Sequence, residues 1–167
     1  MAASAFLGLG SNLGDRLDLL QRAVDLLHRR EGIEVVRSSR VYETEPVGPP
    51  QPHYLNAVVE VRTTLEPLEL LRTCLDVEAE LGRVRAERWG PRPIDVDVLT
   101  FDRRVVDEPE LTIPHPRMHE RGFVLVPLAE LDPEPMLPGG RSLASVRMAP
   151  NAVFGLRVFA PPLRVGS

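Results

Sequence analysis

The chain has 167 residues, 43% hydrophobic and 26% charged, which suits one ordinary globular domain with a sizeable core. A net charge of −4 gives no footprint for non-specific nucleic-acid binding, and no apolar run approaches membrane-spanning length. The N-terminus lacks a basic region followed by an apolar stretch, so a cytoplasmic protein is expected; the single Cys74 excludes an intrachain disulfide.

Residues 5–9, Ala-Phe-Leu-Gly-Leu, read as a short buried strand, and residues 10–15 as a glycine turn. Leu17, Leu20, Val24 and Leu27 then set the apolar face of a helix ending near His28. Residues 34–43 alternate loosely and predict one strand. A proline-rich loop follows at 46–52, and a second alternating strand at 55–65. Thr64 is the expected cap of a helix over 65–81, with Pro67 in its permissive first turn and Gly82 near its end. Cys74 lies among Leu70, Leu71, Leu75 and Val77, as a small core residue rather than a nucleophile. Residues 94–101 form the central strand, with 104–106 expected to pair back on it. Residues 122–131 are apolar enough for a buried helix or strand, a helix requiring Pro127 in its first turn or at a kink.

The order strand, helix, two strands, helix, strand is the ferredoxin-like α+β plan. It predicts an antiparallel sheet with both helices on one face and long loops over the other, which carries the active site. The whole of 1–167 is expected to be one domain, with 141–167 a C-terminal extension ending in an apolar, proline-rich surface strand or strap.

The chemistry concentrates in Arg88-Trp89-Gly90-Pro91-Arg92-Pro93-Ile94-Asp95-Val96-Asp97. Period-two alternation puts Asp95 and Asp97 on one strand face, their Cα atoms about 6.5–7 Å apart, with Leu99 and Phe101 expected further along that face. Two such carboxylates repel unless a cation lies between them. Mg²⁺ suits them, because it takes one or two carboxylates and completes its shell with water and phosphate oxygens. Arg83, Arg85, Arg88 and Arg92 are the natural phosphate partners. They are needed, because all 20 basic residues are arginine and a Walker-type loop requires lysine. Gly8-Leu9-Gly10-Ser11-Asn12-Leu13-Gly14 has the wrong spacing for a dinucleotide fingerprint and reads as a tight turn. Asn56 offers a donor and an acceptor to a heterocycle edge, and Tyr54 a ring to stack on it. His115 and His119 are four apart, but Pro114 and Pro116 argue against a helical zinc pair; His115 with Arg121 suits phosphate better.

In order, the segments Gly8–Asp15, Thr44–Gly48, Tyr54–Ala57, Gly82–Arg85, Glu87–Val98 and Pro114–Phe123 resemble those of the 6-hydroxymethyl-7,8-dihydropterin pyrophosphokinases of folate biosynthesis, over roughly residues 6–138. The resemblance implies an ATP-dependent diphosphotransferase that moves pyrophosphate from ATP to the pterin hydroxymethyl group and releases AMP. It assigns two Mg²⁺ ions to Asp95 and Asp97. It places the pterin at Thr44 and Val47 through their backbones, at the Asn56 amide, between Tyr54 and Phe123, and beside Trp89 and Asp95. Arg83, Arg85, Arg88, Trp89 and Arg92 match a mobile loop that closes over ATP, with Arg83, Arg88, Trp89 and Arg92 serving catalysis. His115 and Arg121 match phosphate ligands, and Glu78, Val98, Leu111 and Thr112 match positions around the nucleoside. Leu75 stands where some members carry a glutamine. A monomer acting on small molecules is expected, with no nucleic acid or membrane partner. The competing readings are a ferredoxin-like small-molecule-binding module and a Mg²⁺-dependent nucleotidyltransferase, and AMP among the products separates them.

Overall fold

The computed structural model describes residues 2–12, 14–44, 53–84, 93–147 and 156–166. Strand β1 (Ala3–Ser11) leads through a turn to helix α1 (Arg16–Arg29), and β2 (Ile33–Ser38), β3 (Val41–Thr44) and β4 (Tyr54–Thr63) follow. Helix α2 (Pro67–Val84), strand β5 (Asp95–Phe101) and a small pair, β6 (Val106–Glu108) with β7 (Leu111–Ile113), come next. Helices α3 (Gly122–Leu131) and α4 (Leu143–Arg147) and strand β8 (Leu156–Ala160) complete the described chain. The main sheet runs β5-β1-β4-β3-β8, with β2 also on β4, and its pairings are antiparallel.

Local chemistry explains the boundaries. Asp15 caps α1 by accepting from the Asp18 amide at 3.3 Å, and Leu19, Leu20, Ala23, Val24 and Leu27 bury its apolar stripe. Helix α2 begins at Pro67, and Thr64 is not its cap: the Thr64 amide donates to the Gly32 carbonyl instead. Glu66 takes that place, its amide donating to Glu69 Oε1 at 2.9 Å while its carbonyl accepts from the Leu70 amide. Gly32 has φ +85°, and a Cβ there would come within 3.0 Å of Leu65, so glycine is required at this crossing.

Four sequence expectations are corrected by long-range pairing. The strand expected over 34–43 is two strands, broken at Ser39, whose hydroxyl accepts from the Val58 amide at 2.9 Å and donates to the Arg40 carbonyl. Gly10 and Ser11 continue β1 rather than turning. Residues 104–106 do not return along β5: Asp102 turns at φ 49°, exchanges backbone and carboxylate bonds with Ser4, and β6 pairs with β7. A shift in the β1–β5 register sets Phe6 opposite Thr100 and Leu7 opposite Val98, a bulge at Leu99. Leu99 therefore stays on the Asp95–Asp97 face, while Phe101 joins the opposite core.

Helices α1 and α2 cover one face, over Ala5, Leu7, Leu9, Ala57, Val59 and Val96. The second face is not left open, as the two-helix plan expected. Helix α3 buries Phe6, Val58 and Leu99 beneath Val124, Leu125 and Leu128. Pro127 sits in the middle of α3, beyond its first turn, so the Phe123 carbonyl lacks the usual donor. Among the described residues no helix is long and apolar enough to cross a membrane.

Glu43, on the helix side of β3, is almost buried among charges. Arg157 from β8 and Arg16 from α1 hold its two carboxylate oxygens, with His53 Nδ1 at 3.7 Å. The Arg157 hydrogen bond first, and that of Arg16 after it, keep its carboxyl below the ordinary value of 4.5 against the opposing effect of burial. The stability it contributes is therefore fully present above pH 4.5 and is lost as pH falls through its lower folded value. Glu43→Gln is expected to flatten the acid limb of a thermal-midpoint-against-pH curve in that window. An unchanged acid limb would separate the carboxylate from fold stability.

Candidate active site

The second face of the sheet, beyond the part that α3 covers, is where the predicted residues gather. Register settles the arrangement. Asp95 pairs with Gly10, Gly10 with Asn56, and Asn56 with Tyr42, so these four form one cross-sheet row. Asp97, Gly8 and Val58 form the next row, and Thr44 and Tyr54 face each other in the row on the other side. Side chains of directly opposed residues share a face. Asp95 and Asp97 thus stand at one end of a floor paved by Gly8 and Gly10, and Asn56, Thr44 and Tyr54 stand at the other. Asp95 is exposed, Asp97 half-buried and Asn56 buried.

The glycines make this floor flat. A Cβ on Gly10 would lie 2.8 Å from Asn56 Nδ2, closer than side-chain atoms come. The residue in the way is the end of a side chain, so Gly10→Ala is expected to leave the thermal midpoint nearly unchanged while pushing the Asn56 amide aside. Affinity for a heterocycle held by that amide should fall about three- to tenfold, equivalent to part of one hydrogen bond, with affinity for a metal-bound phosphate at the aspartates unchanged. Equal losses for both ligands in calorimetry would assign Gly10 a general structural role. Thr44 donates its hydroxyl to Asn56 Oδ1 at a long 3.4 Å, which leaves most of the amide's capacity for another partner.

Strand β5 lies at the sheet edge, and its free edge is satisfied from two sides. The Val96 amide donates to Glu78 Oε2 at 2.7 Å, and the His115 amide donates to the Leu99 carbonyl at 2.9 Å. Glu78 therefore holds the strand that carries both aspartates, a role the sequence did not reveal. Ser11 adds a second tie, its hydroxyl donating to the Pro93 carbonyl at 2.6 Å and fixing the entry to β5. Val98 and Leu111 are buried in the helix-side core, and Thr112 is exposed on β7, which packs against β5. Leu75 is exposed on α2. Cys74 is buried, and burial first, then Glu78 and Asp97, pushes its thiol far up, so it remains an inert core group.

His115 is held in a defined form. Its Nδ1 accepts from the Arg117 amide at 3.3 Å, which leaves Nε2 to carry the ring proton. Burial pulls its pKa below the ordinary 6.5 against the opposing pull of Asp97, with Arg121 and Arg117 adding to the lowering. His115 thus presents Nε2–H as its donor in the neighbourhood of Asp97. The Arg121 guanidinium lies 5.8 Å from the centre of the Phe123 ring, and among the described residues no carboxylate pairs with it. It is a cation available to an anion, and the Phe123 ring beside it packs, partly buried, against the core under α3.

Val47, Arg85, Arg88, Trp89 and Arg92 lie outside the described residues, as does the side chain of Arg83 at the end of α2. The donor set suits Mg²⁺ on chemical grounds: two carboxylates share one strand face, and among the described residues no third carboxylate, histidine or cysteine completes a protein cage. A hard cation held by two oxygens and otherwise by water and phosphate matches that set.

The family profile of 7,8-dihydro-6-hydroxymethylpterin-pyrophosphokinase matches residues 6–133. The 2-amino-4-hydroxy-6-hydroxymethyldihydropteridine pyrophosphokinase of Bacillus subtilis is 50% identical over 128 residues, 76% of this chain and 77% of that protein. The protein of the same name from Methylorubrum extorquens is 49% identical over 152 residues, covering 89% and 96%. Among solved structures, the wild-type HPPK-DHPS of Plasmodium falciparum shares the fold with a TM-score of 0.66 at 16% identity. That match covers 93% of this chain but 47% of the Plasmodium chain, so this chain spans about half of that protein. The profile takes in Gly8, Gly10, Asn56, Asp95, Asp97, His115, Arg121 and Phe123, the residues that this sheet face and its rim bring together, and the chain belongs to the 7,8-dihydro-6-hydroxymethylpterin-pyrophosphokinase family.

Proposed function

We infer that the chain transfers pyrophosphate from ATP to the hydroxymethyl group of 6-hydroxymethyl-7,8-dihydropterin, a step of folate synthesis, on a ferredoxin-like sheet. The carrying observation is the glycine floor of β1, with the Asp95–Asp97 pair at one end and Asn56, Thr44 and Tyr54 at the other. An acidic end suits a metal-bound triphosphate, and a buried amide between a hydroxyl and an aromatic ring suits a flat, polar-edged heterocycle.

In this reading the pterin edge binds the Asn56 amide and the backbones of Thr44 and Val47. Its rings lie between Tyr54 and Phe123, with Trp89 beside them, and its hydroxymethyl group points along the floor toward Asp95. Asp95 and Asp97 would hold Mg²⁺, two ions in this proposal, which when bound would supply charge to screen the triphosphate and acidify the attacking hydroxyl. His115 donates a hydrogen bond from Nε2–H to a phosphate oxygen, and Arg121 supplies a fixed positive charge. Arg83, Arg85, Arg88 and Arg92 take the remaining phosphate oxygens. Glu78, Val98, Leu111 and Thr112 border the nucleoside, Glu78 chiefly by holding β5. The pterin hydroxyl oxygen forms a bond to the β-phosphorus, and the bond from that phosphorus to the α,β-bridging oxygen breaks. AMP leaves with that oxygen, and the hydroxyl proton is released to solvent. Alignment and charge neutralisation carry such a transfer further than a strong base would.

We further propose a monomeric cytoplasmic enzyme of one domain over 1–167, with 141–167 an extension outside the family's common core. Nucleotide analysis after incubation with ATP, Mg²⁺ and the pterin tests the reaction. Equimolar AMP and pterin diphosphate are expected. Release of inorganic pyrophosphate would indicate attack at the α-phosphorus and a nucleotidyltransferase, and an absence of turnover would leave a binding module.

A further inference from the structure

Strand β8 lies beyond the residues that the family profile matches, yet it reaches the strand that carries Thr44. It pairs antiparallel with β3, Leu156 opposite Thr44 and Arg157 opposite Glu43. Arg157 Nε donates to Glu43 Oε1 at 3.0 Å, and its Nη2 bonds the same oxygen. From the other side, Arg16 Nη1 donates to Glu43 Oε2 at 3.0 Å and to the His53 carbonyl at 2.6 Å. The Arg16 guanidinium also lies over the Phe159 ring of β8, 5.5 Å from its centre. One carboxylate thus joins β3, β8 and α1, and through Arg16 the residue before β4.

The placement of this clasp matters more than its strength. Glu43 directly precedes Thr44, His53 directly precedes Tyr54, and Thr44 and Tyr54 are register partners. Alternation points Glu43 to the helix side of the sheet, away from Asn56, so the clasp cannot touch a ligand on the glycine floor. It acts through the backbone, by fixing how the ends of β3 and β4 meet.

We propose that Arg157 is a positioning residue for pterin binding: by gripping Glu43 it holds Thr44 against Tyr54 and sets the spacing of the wall that receives the heterocycle. The proposal rests on the reading of Thr44, Tyr54 and Asn56 as that wall. The Arg157 side chain is largely exposed although Glu43 is buried, so solvent screens one side of the pair and its loss lowers the thermal midpoint only modestly. After its removal Arg16 still neutralises Glu43, so no buried charge is orphaned. The effect is local and specific to one substrate.

The test uses the full chain with Arg157→Ala, Arg157→Lys and Asn56→Ala. The readouts are calorimetric titration with the pterin, separate titration with a non-hydrolysable ATP analogue in Mg²⁺, and steady-state kinetics. Arg157→Ala should raise the pterin Kd and KM about fivefold or more, with the nucleotide Kd and the kcat at saturating pterin unchanged. Arg157→Lys should recover part of the loss, because a point charge replaces a two-pronged donor. An unchanged pterin Kd in Arg157→Ala overturns the proposal, as does an equal weakening of both ligands with a falling thermal midpoint. Asn56→Ala tells the two failures apart. If it weakens the pterin while Arg157→Ala does not, the wall stands and the clasp falls; if neither does, the wall falls as well.

Discussion

Asp97→Ala is expected to lower kcat about 10³-fold, roughly 4 kcal/mol of transition-state stabilisation, while the protein stays folded. The carboxylate lies on a strand face directly opposite Gly8, which has no side chain to take over its contact. Its neighbour on that face is Asp95, so the substitution removes like-charge repulsion, and the thermal midpoint should stay level or rise. Asp95→Ala should show a comparable loss of turnover. Mg²⁺ titration should reveal weaker activation in both variants. Near-normal turnover of either at saturating Mg²⁺ would remove the carboxylate pair from the chemistry.

Asn56→Ala is expected to weaken pterin binding by about 1–3 kcal/mol, because it leaves polar edges of a buried heterocycle without partners. Asn56 is buried at the centre of the row that joins Tyr42 to Gly10, and its side-chain bond to Thr44 is long. ATP affinity should change little, because the amide stands two strands away from Asp95. Calorimetry with each ligand separately checks this, and equal loss of both would make Asn56 a framework residue.

Much of this arrangement was legible in local pattern. The alternation around Asp95 and Asp97 put both on one face, and the amphipathic stripes of α1 and α2 located the helix-covered core. The features that escaped depend on partners distant in sequence. The bulge at Leu99, which turns Phe101 to the opposite face, arises from pairing with β1 rather than from β5 itself. Gly10 looked like a turn residue because glycine permits turns. Its actual requirement is the approach of Asn56, 46 positions later in the chain. Helix α3 has apolar residues on nearly every side, so its sequence did not say which face of the sheet it would cover. Glu43 gave one hint, a charge set between Val41-Tyr42 and Thr44. Its principal partner, Arg157, lies 114 residues away, beyond the reach of any local pattern. The family resemblance set Glu78 among positions around the nucleoside, and its hold on the Val96 amide at the edge of β5 became visible only in the fold.

A crystal structure with Mg²⁺, a non-hydrolysable ATP analogue and 6-hydroxymethyl-7,8-dihydropterin tests the central claim most directly. The account predicts the pterin edge on the Asn56 amide, its rings between Tyr54 and Phe123, and its hydroxymethyl oxygen over the glycine floor in line with the β-phosphorus, Mg²⁺ being held by Asp95 and Asp97. A pterin bound away from Asn56, or a triphosphate bound without contact through Mg²⁺ to Asp95 and Asp97, would contradict it.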